Sequence, residues 1–484
     1  MEFINKHYKL ILCCIPVISL ILHWHVFNLD LIGIHVWRQT QTQNVINNFY
    51  REDMNILHPK INSNPETNRI LRLEFPLMQW IFACVYKLFG PYIAVTRVLS
   101  FLVGLCSVYG MFFLANNIFK NSSIAIICAW CFNFSPLFYY YTMNPMPDNM
   151  ALCCGIWSIG LFYKYINTNA RKFLILSALL FALSVLIKLP FVIYGVFFLI
   201  FVFLRMYKKK SSPKEITWIC TSFFLSILPA VAWYGTVIPQ WQSNVVLTGI
   251  FTSGLKMSTV LIFLWGGASS VLPELIINYG SVLFFIFGFY FMMKRKIWKA
   301  NYFILFFAWG LIVILYYISE INTIAFVHDY YLMPFLPPVF LVVAYGATYL
   351  LTDRKQVLTI LATLCLLILP VTAYLRADSR WDLVKPGFDP VFFHFKDELR
   401  KLTPPNAYCV VGNDESGQIL LYYIDRKGWT FSNNNMDGKM LEHYIGDQAT
   451  YLFCSGTIDA QPDIKKHLVE KVFDKESLRV YKIK

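Results

Sequence analysis

The sequence predicts an α-helical polytopic membrane protein with about eleven transmembrane helices, within bounds of ten and thirteen, and a small α/β domain at its C-terminus. Three observations predict it. Apolar residues make up 57% of the chain and charged residues only 14%, a balance foreign to soluble domains. Apolar runs of about 17–22 residues recur along the chain, long enough to cross a hydrocarbon core of roughly 30 Å. After Tyr374 the composition turns to ordinary globular sequence with interspersed charges.

Taken in order, spans are expected near 10–27, 94–116, 122–140, 149–166, 172–187, 190–206, 216–237, 277–293, 302–318, 331–351 and 356–375. The first has no small-residue cleavage site and reads as a retained span rather than a signal peptide. The net charge of +14 is spread over short clusters: Lys6 and Lys9, Lys120, Arg171 and Lys172, Arg205 with Lys208 to Lys210, Lys294 to Lys299, and Arg354 with Lys355. No contiguous basic face builds up, which excludes a nucleic-acid surface. Clusters of this kind mark cytoplasmic loops. With the N-terminus inside, all of them fall on one side, and loops 28–91, 144–148, 239–274 and 320–328 fall outside with the C-terminus. Residues 75–89 are short for a span and interrupted by Gln79 and Lys87, so an interfacial helix is expected there.

In the tail, 408–413 and 449–456 read as buried strands, 418–425 and 464–472 as helices, and 478–483 as a final strand. The domains are thus 1–379 and 380–484, the second large enough for its own core. It carries no GxGxxG and no Walker loop, so a cap or acceptor-binding role is expected rather than nucleotide binding. Ten of the twelve cysteines lie in or beside apolar segments and act as small apolar residues. Cys128 and Cys131 form a CxxC inside a span without partner ligands. Cys409 and Cys454 are expected unpaired in the core of two strands.

The most informative stretch is the polar loop 28–91, holding GIHVWRQTQTQ, NFYREDMNILHPKIN and RILRLEFPLMQW. Membrane chains keep loops brief unless they have a task, and this composition beside a bilayer suggests a site for a polar headgroup. Then come Arg97 opening a span (VTRVLSFLVG), SPLFYYYTMNPMPDNMAL at an outward turn, ALLFALSVLIKLP with Lys188 at a span end, and HDYYLMPFLPP before a late span. In this order the features resemble the superfamily C glycosyltransferases, which include protein O-mannosyltransferases and lipid A aminoarabinose transferases. HVWRQTQT resembles a bacterial branch of that group.

The resemblance implies a bacterial plasma-membrane enzyme. It would move a sugar from a polyprenyl-phosphate-linked donor to a glycan, lipid or protein acceptor at the outer face, with inversion. A loop carboxylate would deprotonate the acceptor, and cations would meet the charge on the departing phosphate. The chain departs from the pattern where relatives carry an early acid, because Arg38-Gln39-Thr40-Gln41 has no carboxylate. The candidate bases are therefore Glu74, whose structural role would be to cap the following helix, and Asp148, whose structural role would be an N-cap. Arg38, flanked by Trp37 and Gln39, has fork geometry suited to phosphate, and His35 reads as positional. Arg97 and Lys188 are either phosphate ligands or snorkelling anchors. His328 and Tyr330 either contact a phosphate or mark the interface, and tyrosines 139–141 read as an aromatic belt. No cofactor is required by this reading. A divalent ion would need two close carboxylates, and Glu52-Asp53, the tight pair in the loop, reads as a solvated helix end. The competing classes are a lipid-linked saccharide flippase, which would show paired broken spans in matching halves, and a non-catalytic membrane scaffold.

Overall fold

The computed structural model describes residues 2–209, 212–241, 249–251, 253–297, 303–326, 328–352, 355–432 and 435–484. Lys210, Lys299 and Arg354 of the basic clusters lie outside them. The chain divides into two compact units. One comprises Met1–Leu29, Leu73–Phe75 and Thr96–Ser379, the other Asp30–Arg72, Pro76–Val95 and Arg380–Lys484. Most of the first loop therefore folds with the tail rather than with the spans.

The first unit is helical. Among the described residues, seven helices are long and apolar enough to cross a membrane: Asn5–Val26, Ile93–Phe119, Leu189–Tyr207, Pro213–Gln240, Met257–Ile277, Asp329–Leu351 and Gln356–Asp378. Shorter apolar helices occupy Ser122–Asn133, Tyr279–Lys294 and Phe303–Ser319, and Pro147–Thr168 packs along Arg171–Ile187. Among the described residues each expected span falls largely on helix, with 277–293 interrupted at Asn278 and 122–140 at Phe134 and Ser135, where Ser135 and Pro136 start a new helix, Pro136–Tyr141.

Met257–Ile277 corrects the expectation of a loop over 239–274. Gly266, Gly267, two serines and Pro273 interrupt its apolar run, but the backbone continues past Gly266 as a π-helix to Ile277. Its first half packs on Ile321–Phe326, just beyond the end of Phe303–Ser319. Near its other end Glu274 pairs with Arg376, in the last turn of Gln356–Asp378.

The second unit is built on a five-stranded sheet. The strands are β1 (Tyr408–Gly412), β2 (Lys427–Phe431), β3 (Ala449–Ser455), β4 (Leu468–Lys475) and β5 (Leu478–Ile483), in the order β2-β1-β3-β5-β4. β1 runs parallel to β2 and β3, whereas β5 is antiparallel to β3 and β4. The expected helix over 464–472 is wrong. Only Pro462–Lys465 is helical, and β4 follows. β4 is an edge strand with mostly exposed side chains, so its charges removed the alternation that marks a strand. β2 and the Gly438–Gly446 helix were not anticipated. Cys409 and Cys454 are buried and unpaired, as expected.

Loop residues complete this unit. Leu31 and Val36 join Val391, Phe392, Tyr423 and Phe453 in one core. The backbone N–H of Gly428 donates to the Asn62 carbonyl at 3.0 Å, extending the β2 edge. Gly428 has φ +149, and a side chain there would collide with the Cys409 carbonyl, so only glycine serves. The Leu77–Phe89 helix has 13 residues, about 20 Å at 1.5 Å per residue, which is too short to cross. It packs on Val36–Arg51, where Gln43 donates to the Tyr86 hydroxyl at 2.9 Å.

Candidate active site

Pro147 opens the Pro147–Thr168 helix and Asp148 stands in its first turn, where the helix dipole favours a negative charge. The N-cap is Met146, so the capping role expected of Asp148 does not hold. Arg171–Ile187 returns antiparallel and ends at Lys188, which is extended at φ −152, ψ 109 ahead of Pro190. Small residues let the two helices approach closely: Ser158 donates to the Ser177 carbonyl at 2.8 Å, and Ser184 to that of Ala151 at 2.7 Å. The approach brings Lys188 Nζ to 3.3 Å from Asp148 Oδ2. Asp148 is 2% and Lys188 7% exposed, so Lys188 does not snorkel.

The late HDYY motif closes over this pair. The Lys188 ammonium lies 5.4 Å and 5.2 Å from the ring centroids of Tyr330 and Tyr331, within cation–π reach. His328 packs edge-on against Tyr331 and tilted against Tyr330. The Tyr141 hydroxyl donates to Asp329 Oδ1, and Asn149 Nδ2 donates to the Tyr141 carbonyl at 2.5 Å. The buried Tyr316 hydroxyl lies within electrostatic reach of Tyr331, Glu320 and Asp148. Glu320, just past the end of its helix, is 7% exposed, and its Oε2 has no hydrogen-bond partner among the described residues. Burial pushes its carboxyl up to about 7.

Glu74 lies in the segment Leu73–Phe75, which belongs to this same unit. Trp233 Nε1 donates to the Leu73 carbonyl at 3.2 Å, and the Phe75 N–H donates to the carbonyl of Leu186, two residues before Lys188, at 3.3 Å. The backbone on both sides of Glu74 is thus clamped at the end of the bundle that carries Lys188 and Asp148. Glu74 is half-buried. The helix after it starts at Leu77 with Pro76 as N-cap and no acid in its first turn, so the capping role is also corrected.

Arg97 is fully enclosed. Its guanidinium donates to the Leu29 carbonyl at 2.7 Å, the Met143 carbonyl at 3.0 Å and Asn144 Oδ1 at 2.9 Å. It latches the turn before Asp148 to the end of the first span, and the snorkelling reading fails. His35, Trp37, Arg38 and Gln39 belong to the second unit. His35 precedes Val36–Arg51 in the left-handed region at φ 58, which fits a positional role. Arg38 is buried and donates to the Gln41 side chain, Gln39 donates to the Ile34 carbonyl at 2.9 Å, and the Trp37 ring is exposed. Glu52 is the exposed C-cap of Val36–Arg51, as expected of a helix end, but it is also ion-paired. It accepts from Arg69 and pairs with Lys427 and Lys60. Burial pushes its carboxyl up, but Arg69 and Lys427 outweigh that and hold it at about 2. Sequence reasoning missed Tyr141, Asp329, Tyr331, Tyr316 and Glu320, although Tyr141, Asp329 and Tyr331 stood inside motifs it singled out.

The profile of the dolichyl-phosphate-mannose-protein mannosyltransferase family matches residues 74–233, the stretch that holds Glu74, Arg97, Asp148 and Lys188. No curated protein sequence matches the chain. Among solved structures, ArnT from Cupriavidus metallidurans aligns over 99% of this chain and 98% of its own, with TM-score 0.65 and 10% identity. The oligosaccharyltransferase of Archaeoglobus fulgidus aligns over 95% of this chain and 71% of its own, with TM-score 0.63 and 12% identity. The arabinofuranosyltransferase AftD from Mycobacteria aligns over 98% and 40%, with TM-score 0.54 and 11% identity. At these identities the likeness to the structures is one of fold. The profile match over residues 74–233 adds a similarity to a mannosyltransferase family to that likeness of fold. The ArnT fold is matched almost end to end in both chains.

Proposed function

We propose that the protein transfers a hexosyl or pentosyl unit from a polyprenyl-phosphate carrier to a glycan, lipid or protein acceptor, with inversion, at the outer face of a bacterial plasma membrane. The observation that carries this is the buried Asp148–Lys188 pair beneath Tyr330 and Tyr331. Burying a lone ammonium is costly, and a site that keeps one ready for an incoming phosphate needs both a carboxylate to hold it and a dry aromatic lid. Two structural neighbours support the donor class: ArnT was solved with undecaprenyl phosphate, and the Archaeoglobus enzyme with a dolichol-phosphate and an inhibitory peptide.

In this reading Lys188 meets the phosphate and Asp148 is its positioning residue. A carboxylate 3.3 Å from a buried ammonium is favoured as the anion and is a poor proton acceptor. Glu74 is half-buried, outside any helix and clamped at the same end of the bundle, and it is the base. The acceptor oxygen bonds to the anomeric carbon as the bond from that carbon to the phosphate oxygen breaks. The acceptor proton passes to Glu74, and the electron pair leaves with the phosphate, whose charge Lys188 meets. No divalent ion is assigned a step. The distribution of the basic clusters supports eleven crossings, with the N-terminus inside and residues 380–484 outside.

The test is transfer from a radiolabelled polyprenyl-phosphate sugar in proteoliposomes. Wild-type transfer lost on Lys188→Met and on Glu74→Gln, with the fold retained, supports the assignment. Full transfer by either variant overturns that residue's role.

A further inference from the structure

Three side chains with metal-ligating atoms converge in the second unit, on a surface that the proposed reaction does not use. Glu66 lies in the Pro65–Thr67 turn, His443 in the Gly438–Gly446 helix, and Asp447 at its C-cap. One ligand atom from each lies within 4.8 Å of the others, and His443 Nε2 is 3.6 Å from Asp447 Oδ2. All three are exposed.

The local packing aims them. Trp429 Nε1 donates to Glu66 Oε1, which fixes that carboxylate and leaves its second oxygen for another partner. The same indole stacks on Tyr444, next to His443, with centroids 4.9 Å apart and planes 22° apart. One side chain thereby orients the loop ligand and braces the helix that carries the other two. A second observation is the charge balance. Neighbouring acids pair with cations, Glu442 with Lys466, Asp459 with Arg479 and Glu470 with Lys482. Glu66 and Asp447, by contrast, make no ion pair with a lysine or arginine among the described residues. The charge nearest them is His443, 3.6 Å from Asp447, which offsets their repulsion only when protonated.

We propose that Glu66, His443 and Asp447 form a divalent-metal site for a zinc-like ion. One imidazole and two carboxylates suit a borderline cation with solvent in the fourth position. Magnesium and calcium favour all-oxygen sets with more ligands. The ion would tie the Pro65–Thr67 turn of the first loop to the helix between β2 and β3, stapling two distant parts of the chain within one unit.

The experiment uses the full chain in detergent, stripped with chelator and carrying no affinity tag. Zinc, then magnesium, is titrated while bound metal and melting temperature are followed. The expected result is one zinc per chain and a rise in melting temperature that magnesium does not give. His443→Ala and Glu66→Gln each weaken binding at least about 100-fold. Trp429→Phe weakens it about 10-fold, because the indole orients a ligand without touching the ion. His58→Ala, at a half-buried histidine beside an acid, leaves binding unchanged. Equal zinc binding by wild type and His443→Ala overturns the proposal, as does loss of binding on His58→Ala or a failure of wild type to bind. These readouts do not involve transfer, so they stand or fall apart from the proposed reaction.

Discussion

Replacing Lys188 with methionine separates the two things its ammonium does. In the resting site it balances Asp148, 3.3 Å away with both groups buried. Removing one partner of such a pair leaves an uncompensated buried charge, at about 3–5 kcal/mol of stability. In the proposed transfer it meets negative charge developing on the phosphate. Loss of one preorganised group of that kind costs about 2.7–4 kcal/mol of barrier, or ~10²–10³ in kcat. A single variant mixes these losses. The companion is therefore Lys188→Met with Asp148→Leu, because exchanging a buried ion pair for apolar residues of similar volume is often neutral or stabilising. Melting temperature should fall in Lys188→Met and recover in the double variant. Transfer from a radiolabelled polyprenyl-phosphate sugar, at saturating acceptor and matched protein, should stay depressed in both. If the recovered double variant transfers within about threefold of wild type, under 1 kcal/mol of barrier, the pair is only a structural brace. Lys188 then has no part in the chemistry.

Other outcomes follow from the same geometry. Glu74→Gln should lower kcat by about 10²–10⁴, the usual yield of a general base, without moving the melting temperature; unchanged kcat would place the base elsewhere. Arg97→Met should cost about 3 kcal/mol or more, since it strands buried acceptors at Leu29, Met143 and Asn144, and an unaltered unfolding midpoint would contradict the latch. Glu320 has a carboxyl raised to about 7 by burial, so the folded chain holds a proton that the unfolded chain has released, and stability falls as pH rises from about 4.5 to 7. Glu320→Gln removes that fall, and its melting temperature should gain on wild type more at pH 8 than at pH 5. Asp30 behaves oppositely. Burial pushes its carboxyl up, but the Lys396 charge and the Tyr422 hydroxyl outweigh it and hold it below the usual range. Its contribution is present above the ordinary carboxylate pKa of about 4 and is lost on acidification below that, so Asp30→Asn should flatten the acid limb of unfolding.

The spans were legible because crossing a bilayer constrains composition over some twenty residues at once, and that signal survives local exceptions. The signal failed where a helix keeps the hydrophobic content but breaks the run, as in Met257–Ile277 with its paired glycines and Pro273. It also failed in the tail, where β4 is a charged edge strand, and where β2, KGWTF, is too short to show a period. The grouping of Asp30–Arg72 with the tail was invisible for another reason. Leu31 and Val36 look like loop residues until Phe392 and Tyr423 pack against them, and nothing local in the sequence records a partner more than 300 positions away.

The candidate site shows the same limit more sharply. Lys188 and Asp148 were each singled out, but as separate alternatives with separate structural roles, because each was weighed against its own neighbours. Helix termini were the available local explanation for Asp148 and Glu74, and both explanations fail once Met146 and Pro76 are seen to occupy the caps. What the two acids are for depends on distances across the bundle. Tyr141 reaches Asp329 over 188 positions, and Lys188 finds Tyr330 and Tyr331 on a segment after the late loop. A tyrosine run such as residues 139–141 has a sufficient membrane explanation as an aromatic belt, so composition gives no reason to look further. The structure supplies that reason, because Tyr141 is fully buried and hydrogen-bonded to a carboxylate, whereas a belt tyrosine keeps its hydroxyl in the wet headgroup layer. Burial with a charged partner is therefore what turns an interface marker into a site residue. By that criterion Tyr141 and Asp329 join Lys188 and Asp148 in the candidate site, and Arg97, equally buried but satisfied by backbone carbonyls and an asparagine, stays with the scaffold.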